Sequence, residues 1–385
     1  MKTQILEIVH IDFDEKSINF ESNENFDQNK YNLNSNHSNN QITDISNINQ
    51  IENVQNINLK ETLQFLQKII SNDIINCNST FAFLLTPKAK YVSDFIITVS
   101  NNRIFIEIAE KLVETFINKI NLYKIGLQIK IIKTNYCSIF IPENKITEID
   151  LSNIEQFIIS KEPDPRGDNI GIRLIVKNNY ITKEISEKNL VLDFIAKYEN
   201  NILNYVELDE NCNITKYTNK GFSYIKGCYI GQEVISYAKS SGIRNNNIFK
   251  IDNYLENKLD INILQKEENS FALDGNAILL QKQYDIYCNF AQGDINSNNI
   301  NTNEINTISS NQQDDINAKD KNQLQNILLN KNDIKIGYIL SLIYIKETNK
   351  LMGFCFIENN NINNNSQIFI KLQNKIIPIN LINII

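Results

Sequence analysis

The chain has few of the residues that build histidine metal centres, nucleic-acid surfaces or membrane spans. Its 385 residues include only two histidines, His10 and His37, so we expect neither a histidine-based zinc nor iron site, and no resident metal. The formal net charge of −7 provides no basic surface for phosphates, so we expect no direct stable binding of nucleic acid. The longest apolar run, 336–345, is about half of the ~20 residues that a membrane-spanning helix needs. These absences predict a soluble protein.

Cysteine, glycine and proline are also scarce. There are six cysteines, and none forms a Cys-x-x-Cys pair or a dense framework, which indicates reduced thiols and no stable iron–sulfur cluster. The opening segment MKTQILEIVHIDFDEK lacks a basic region followed by an apolar core, so we expect no signal or transit peptide. We therefore expect a cytoplasmic protein, with the mitochondrial matrix as the alternative.

Two long tracts, 16–58 and about 293–333, are rich in Asn and poor in apolar residues, and this predicts disordered insertions. The intervening segments alternate between helical and strand periodicity: an amphipathic helix over 59–75, a hairpin formed by FAFLL and YVSDFIITV, and a further helix around 112–120. From about 246 onward, short apolar segments separated by turn residues predict an all-β barrel or sandwich. The length predicts two or three domains of the α+β class.

One segment, KGCYIGQEVI at 226–235, stands out because it places two of only eleven glycines around Cys228. Gly227 and Gly231 predict a tight bend that presents the thiol, and a helix that begins near Gln232. Lys226 and the helix terminus would then both favour the thiolate. The alternative from the same residues is a buried cysteine between ordinary turn glycines, and spacing alone does not decide between the two.

The string KGCYIGQE resembles the signature of the YgfZ family of folate-binding proteins, which support iron–sulfur cluster assembly and are related to the aminomethyltransferase of glycine cleavage (GcvT). The segments FLQKIISNDI at 65–74, LLTPKAKYVSDFII at 84–97 and DPRGDNIGIRLIV at 164–176 are similar to the family in the same order. Gly242-Ile243-Arg244, IGYILS and GFCFI continue the resemblance. It covers nearly all of the chain outside the Asn-rich tracts.

The resemblance implies a three-domain, aminomethyltransferase-like ring around a folate-sized channel, with a C-terminal β-barrel. The implied domains are 1–15 with 146–245, which carries the signature; 59–145; and 246–385. Cys228 and Lys226 are the implied reactive pair, and the thiol is expected to lie open to a pterin-sized cavity. The implied tetrahydrofolate contacts are Gly227, Tyr229, Gly231, Gln232, Glu233, Asp94, Arg173 and Arg244.

Three functions follow as hypotheses. The first is a monomeric tetrahydrofolate-binding accessory protein that acts with the iron–sulfur assembly machinery or on client iron–sulfur proteins, and that supports tRNA modification indirectly. The second is a folate-dependent one-carbon transferase. The third is a degenerate relative that interacts with partners without binding folate; it is favoured by Tyr237, where the family usually has Arg, and by Asn213, where an acidic residue is expected.

Overall fold

The computed structural model of the protein describes residues 3–10, 59–148, 151–152, 154–177, 181–203, 208, 212–218, 220–242, 247–255, 258–259, 270–273, 277–280, 284–289, 333–358, 367–372 and 375–383. The predicted insertions at 16–58 and 293–333, apart from the first residue of a strand at 333, lie outside the described residues, as does Arg244. Within the described ranges no helix is long and apolar enough to cross a membrane.

A five-stranded antiparallel sheet forms the first layer. Its strands are β1 (Thr3–His10), β2 (Ser79–Leu85), β3 (Tyr91–Ser100), β4 (Arg103–Ala109) and β5 (Ile129–Lys133), in the order β2-β3-β4-β1-β5. The predicted β2–β3 hairpin is confirmed by its antiparallel pairing. Asn101 and Asn102, between β3 and β4, both have positive φ, the conformation that a two-residue hairpin turn requires. Local alternation thus predicted the hairpin correctly, whereas the pairing of β1 with β4 and β5 was not predicted.

Two helices pack their apolar residues against the core of this sheet: α1 over 59–69 and α2 over Val113–Tyr123. The prediction of α2 is confirmed. The prediction for α1 was too long, because the helix ends at 69 rather than 75. Asn72 and Asp73 accept hydrogen bonds from nearby backbone N–H groups after that point, and such local bonds compete with helix continuation.

A three-stranded sheet and two helices follow. The strands are β6 (Tyr136–Pro142), β7 (Ile158–Pro163) and β8 (Gly171–Lys177), in the order β6-β8-β7, and the helices are α3 (Lys183–Glu199) and α4 (Gln232–Ser240). Asn189 joins α3 to β6, because its amide side chain accepts from the N–H and donates to the C=O of Phe140, at 3.1 and 2.6 Å. The prediction of a helix from Gln232 is confirmed.

Beyond residue 247 the described residues form only strands, in one nine-stranded antiparallel sheet. The strands are β9 (Ile248–Tyr254), β10 (Ser270–Leu273), β11 (Ala277–Leu280), β12 (Asp285–Asn289), β13 (Asp333–Ile345), β14 (Lys350–Ile357), β15 (Gln367–Leu372), β16 (Lys375–Pro378) and β17 (Leu381–Asn383). The long strand β13 pairs with β14 from Gly337 to Ile345, with β12 at its start and with β11 at its end. The α+β class and the all-β C-terminal part are therefore confirmed, whereas closure into a barrel stays a prediction.

The first strand belongs to the five-stranded sheet. β1 pairs with β4 and β5, so residues 3–10 complete the sheet built by residues 79–133. The proposed grouping of 1–15 with 146–245 stays a prediction that this pairing does not decide.

Candidate functional site

The signature loop, residues 226–231, packs on the turn of the β2–β3 hairpin. Gly231 stands at the N-cap of α4 with φ of 85°, a left-handed conformation that glycine adopts without strain. A Cβ atom there would lie 3.0 Å from the carbonyl oxygen of Thr86 and 3.1 Å from the Cα of Ala89. Gly227 differs, since a Cβ at that position would meet nothing within 4 Å. Only Gly231 is therefore required by the close approach that the glycine pattern predicted.

Lys226 is buried beneath this loop and holds the C-terminal end of α1. Its Nζ donates hydrogen bonds to the backbone carbonyls of Gln67, Ile70 and Asn72 at 2.7, 2.6 and 3.1 Å. The ammonium also lies 4.8 Å from the ring centroid of Tyr229. Burial lowers the pKa of Lys226 to about 8. All three donors of the ammonium are used within the fold, so the predicted effect on the thiol would act through space and stays a prediction.

The thiol itself is exposed. Cys228 lies at the surface of the loop, next to Gly227, which is also exposed, and two residues from buried Lys226. The side-chain oxygen of Gln232 accepts a hydrogen bond from the N–H of Tyr229 at 3.2 Å and so fixes the bend. Tyr229 is buried, while Glu233 is exposed on the first turn of α4. The loop therefore offers its cysteine to solvent.

The two departures from the family pattern, Tyr237 and Asn213, lie on a helix surface and at the start of a short helix. Tyr237 is exposed on α4. Asn213 accepts hydrogen bonds from the backbone N–H and hydroxyl of Thr215, at 3.3 and 2.7 Å, and so caps the short 3-10 helix Ile214–Lys216. Its backbone also forms a bridge with Lys90 in the hairpin. Asn213 thus ties the segment before the signature to the β2–β3 turn.

A cavity of about 310 Å³ lies where the three sheets and α3 meet. This volume is at the lower end of the range for small-molecule sites. The five-stranded sheet contributes Asp94, the three-stranded sheet Arg173, α3 Lys197, and the nine-stranded sheet Phe354. The apolar part of the wall also includes Phe81, Phe95, Ile108, Leu190, Phe194, Ile202, Leu203 and Leu279. None of the signature residues 226–233 is in the wall, so the expected opening of the Cys228 thiol to this cavity is not what the structure shows.

Asp94 is the carboxylate on the hairpin side of the cavity. Its Oδ1 accepts a hydrogen bond from the hydroxyl of buried Tyr91 at 2.5 Å. Burial raises the pKa of Asp94, against the opposing effects of the Tyr91 hydrogen bond and the positive charges of Lys197 and Arg166. Burial and the negative charge of Asp94 raise the pKa of Tyr91 well above its usual value, so the phenol remains a donor. Within the described residues, Tyr91 is the side chain that donates to Asp94, and it uses only one of the two carboxylate oxygens.

Arg166 and Arg173 line the same cavity and belong to a buried ion cluster. Arg173 donates to Asp164, Glu107 and Asp193, at 3.0, 2.5 and 2.5 Å. Arg166 donates to Asp164 at 2.5 Å and to Asp193 at 2.8 Å. Each guanidinium already binds two or three carboxylates, so the charges of the cluster are balanced internally. The cluster therefore has a structural role in the wall.

The cations of the cluster determine how its carboxylates titrate. Burial would raise the pKa of Asp164, but Arg166 and Arg173 outweigh it and leave the pKa at about 2. Burial would also raise the pKa of Asp193, but Arg166, Lys197 and Arg173 hold it well below the usual value. Both carboxylates are therefore ionised at neutral pH. Lys197 reaches Asp193 from one helical turn away, with Nζ 2.9 Å from Oδ2.

The structure thus divides the predicted site residues into two groups. Asp94 and Arg173 line the cavity, whereas Lys226, Gly227, Cys228, Tyr229, Gly231, Gln232 and Glu233 form or adjoin the surface loop, and Arg244 lies outside the described residues. Sequence reasoning missed Glu107, Asp193 and Lys197. The only local signal was the spacing of Asp193 and Lys197, four residues apart on one helix.

No protein-family model and no curated protein matches the chain. Among solved structures, the glycine cleavage system aminomethyltransferase T from Bartonella henselae is similar to this chain with a TM-score of 0.42. The alignment covers 84% of this chain and 81% of that one at 9% sequence identity. We draw neither a residue role nor a substrate from a resemblance of this strength.

Proposed function

We propose that the chain is a tetrahydrofolate-binding accessory protein of iron–sulfur cluster assembly, and that the folate occupies the cavity at the junction of the three sheets. One observation carries the folate part: the Asp94 carboxylate lines the same cavity as the aromatic rings of Phe81, Phe95, Phe194 and Phe354. A pterin is flat and apolar on its faces and carries N–H donors along one edge. A carboxylate oxygen accepts such donors, and aromatic side chains cover such faces.

The ring arrangement is part of this proposal. Side chains from all three sheets contribute to one cavity. The five-stranded sheet provides Asp94 and Glu107, the three-stranded sheet provides Ser138 and Arg173, and the C-terminal sheet provides Phe354. A ligand at that junction would contact all three sheets, and this supports three units arranged around a central folate.

The iron–sulfur part is supported by the KGCYIGQE resemblance and by the exposure of Cys228. A thiol outside the cavity wall meets a partner protein more readily than it meets the folate. We therefore propose that Cys228 acts towards the assembly machinery or a client iron–sulfur protein, while Asp94 acts towards the folate. The two roles are separable by mutation.

Folate binding is tested by titration calorimetry with 5-formyltetrahydrofolate, a stable reduced folate. Wild type is expected to bind, and Asp94→Asn to bind at least about tenfold more weakly, because hydrogen bonds to a charged acceptor contribute roughly 1.5–3 kcal/mol. Asp285→Asn is the control, since Asp285 pairs with Lys335 at the surface, 2.8 Å apart. Absence of binding by wild type would remove the folate from the proposal and favour a partner-binding protein without a cofactor.

The thiol is tested in cells by the activity of an iron–sulfur enzyme. Cys228→Ser is expected to lower that activity at an unchanged level of the protein. Cys77→Ser is the matched control, because Cys77 is also exposed and lies outside both the loop and the cavity. Equal activity of the two variants would show that the Cys228 thiol has no part in the function.

A one-carbon transferase is the second candidate, and the raised pKa of Asp94 favours it. A carboxylate whose pKa is raised by burial is better suited to exchange a proton with an amine near neutral pH than an ordinary carboxylate. Formation of methylene-tetrahydrofolate by purified wild type from an aminomethyl thioether, with release of ammonia and the free thiol, and its loss in Asp94→Asn, would favour this function. Folate binding without turnover would favour the accessory role.

A further inference from the structure

Two side chains of opposite hydrogen-bonding character line the same cavity. Asp94, on β3, only accepts hydrogen bonds when ionised, and its Oδ1 is held by Tyr91. Lys197, on α3, only donates, and its Nζ is held by Asp193 at 2.9 Å. An ammonium has three N–H donors, so one carboxylate contact leaves donors for a ligand. The Lys197 side chain is 23% exposed, compared with 4% for Arg166 and 9% for Arg173.

The surroundings keep both groups available. Arg173 is committed to Glu107, Asp164 and Asp193 through its Nε and both Nη atoms. Asp193 anchors the Lys197 ammonium from the preceding helical turn, which limits the positions that the long side chain samples. Both groups line the cavity, and the positive charge of Lys197 opposes the rise that burial causes in the pKa of Asp94. A ligand between them meets an acceptor on one side and a charged donor on the other.

The amide edge of a 2-amino-4-oxopteridine has this complementary pattern. The 2-amino group and the ring N3–H are donors, and the C4 carbonyl next to them is an acceptor. We infer that Lys197 is the specificity-determining residue for the pterin ring, and that it donates to the C4 oxygen while Asp94 accepts from the neighbouring N–H groups. This inference rests on the proposed folate site and assigns the orientation of the ring within it.

Aminopterin and folic acid provide a pair of probes that differ in the group on C4 and in N3, which carries a hydrogen in folic acid and a lone pair in aminopterin. Aminopterin carries an amino group there, which places a donor against the Lys197 donor. Wild type is expected to bind folic acid at least about tenfold more tightly than aminopterin, the loss typical of a charged donor left without its acceptor. Lys197→Met is expected to lower the ratio of the two dissociation constants markedly, and the preference that remains comes from N3 facing Asp94. Lys197→Arg keeps a charged donor and is expected to retain the preference for folic acid.

The control is Lys350→Met, because Lys350 pairs with Asp252 at 3.0 Å and is not in the cavity wall. It is expected to leave the ratio unchanged. A lysine that only stabilises α3 through Asp193 would, when replaced, weaken both ligands equally and leave the ratio unchanged. That result overturns the inference while the folate site stands.

The wild-type ratio is a test that needs no variant. Tighter binding of aminopterin than of folic acid, or equal binding, overturns the role of Lys197 even if Lys197→Met does not fold. Binding of neither compound, nor of 5-formyltetrahydrofolate, overturns the folate site and the inference with it. The two failures are thereby distinguishable.

Discussion

Replacement of Lys226 by methionine tests whether this residue holds the fold together rather than serving the thiol. The three hydrogen bonds from its Nζ to the carbonyls of Gln67, Ile70 and Asn72 are charge-assisted, and each contributes roughly 2 kcal/mol, or about 6 kcal/mol together. Burial opposes them by lowering the pKa from 10.5 to about 8. Methionine removes these bonds and leaves three carbonyls without a donor, but bonds that share one ammonium are not additive, so the expected loss of unfolding free energy is about 3–6 kcal/mol.

The assay is urea unfolding followed by circular dichroism, together with hydrogen exchange of the backbone amides in 66–73. Faster exchange is expected in that segment before the rest of the fold opens. Lys124→Met is the matched control, because its Nζ donates to a single backbone carbonyl, that of Ile129, at 2.7 Å. Its expected loss is about 1 kcal/mol. Equal losses in the two variants, or unchanged exchange in 66–73, would refute the capping role of Lys226.

Three further predictions follow from the geometry of the loop and the ion cluster. Gly231→Ala is expected to lower the unfolding free energy by about 1–2 kcal/mol through its positive φ and the contact with Thr86, as measured by urea unfolding. Arg173→Met leaves its buried carboxylates without a partner, so a loss of about 3–5 kcal/mol is expected in the same assay. The third concerns pH: Asp164 has a folded pKa of about 2, below its unfolded value of 3.8, so its contribution to stability is present above about pH 4 and is lost as the pH falls towards 2. The urea midpoints of wild type and Asp164→Asn should therefore converge as the pH is lowered from 5 to 2.

Each of these has a control or a contrary outcome within the chain. Gly227→Ala is expected to change stability by less than about 0.5 kcal/mol, because its Cβ would enter open space. Lys133→Ala, whose pair with Glu114 is exposed on both sides, is expected to lose about 1 kcal/mol or less, well below Arg173→Met. A constant gap between wild type and Asp164→Asn over the whole pH range would show that the ionisation of Asp164 does not stabilise the fold.

The sequence by itself determined the elements whose signals are local. The β2–β3 hairpin, α2 and α4 were all predicted, because alternation, helical spacing and the glycine bend encode them within a few positions. The close approach at Gly231 was predicted for the same reason, since a glycine beside a predicted helix start indicates a special backbone conformation. The end of α1 was not, because periodicity continues to 75 while the Asn72–Asp73 turn and Lys226 stop the helix.

Only the tertiary structure decided which residues share a site. Lys226 finds its carbonyl partners more than 150 positions earlier in the chain, and Arg173 finds Glu107 66 positions earlier. The cavity receives Asp94 from a hairpin and Lys197 from a helix in a different layer, and no periodicity links the two. Cys228 was expected beside that cavity, yet packing of Gly231 on the hairpin turn leaves the thiol at the surface. Local patterns specify elements, while the pairing of buried charges over long separations depends on how those elements pack.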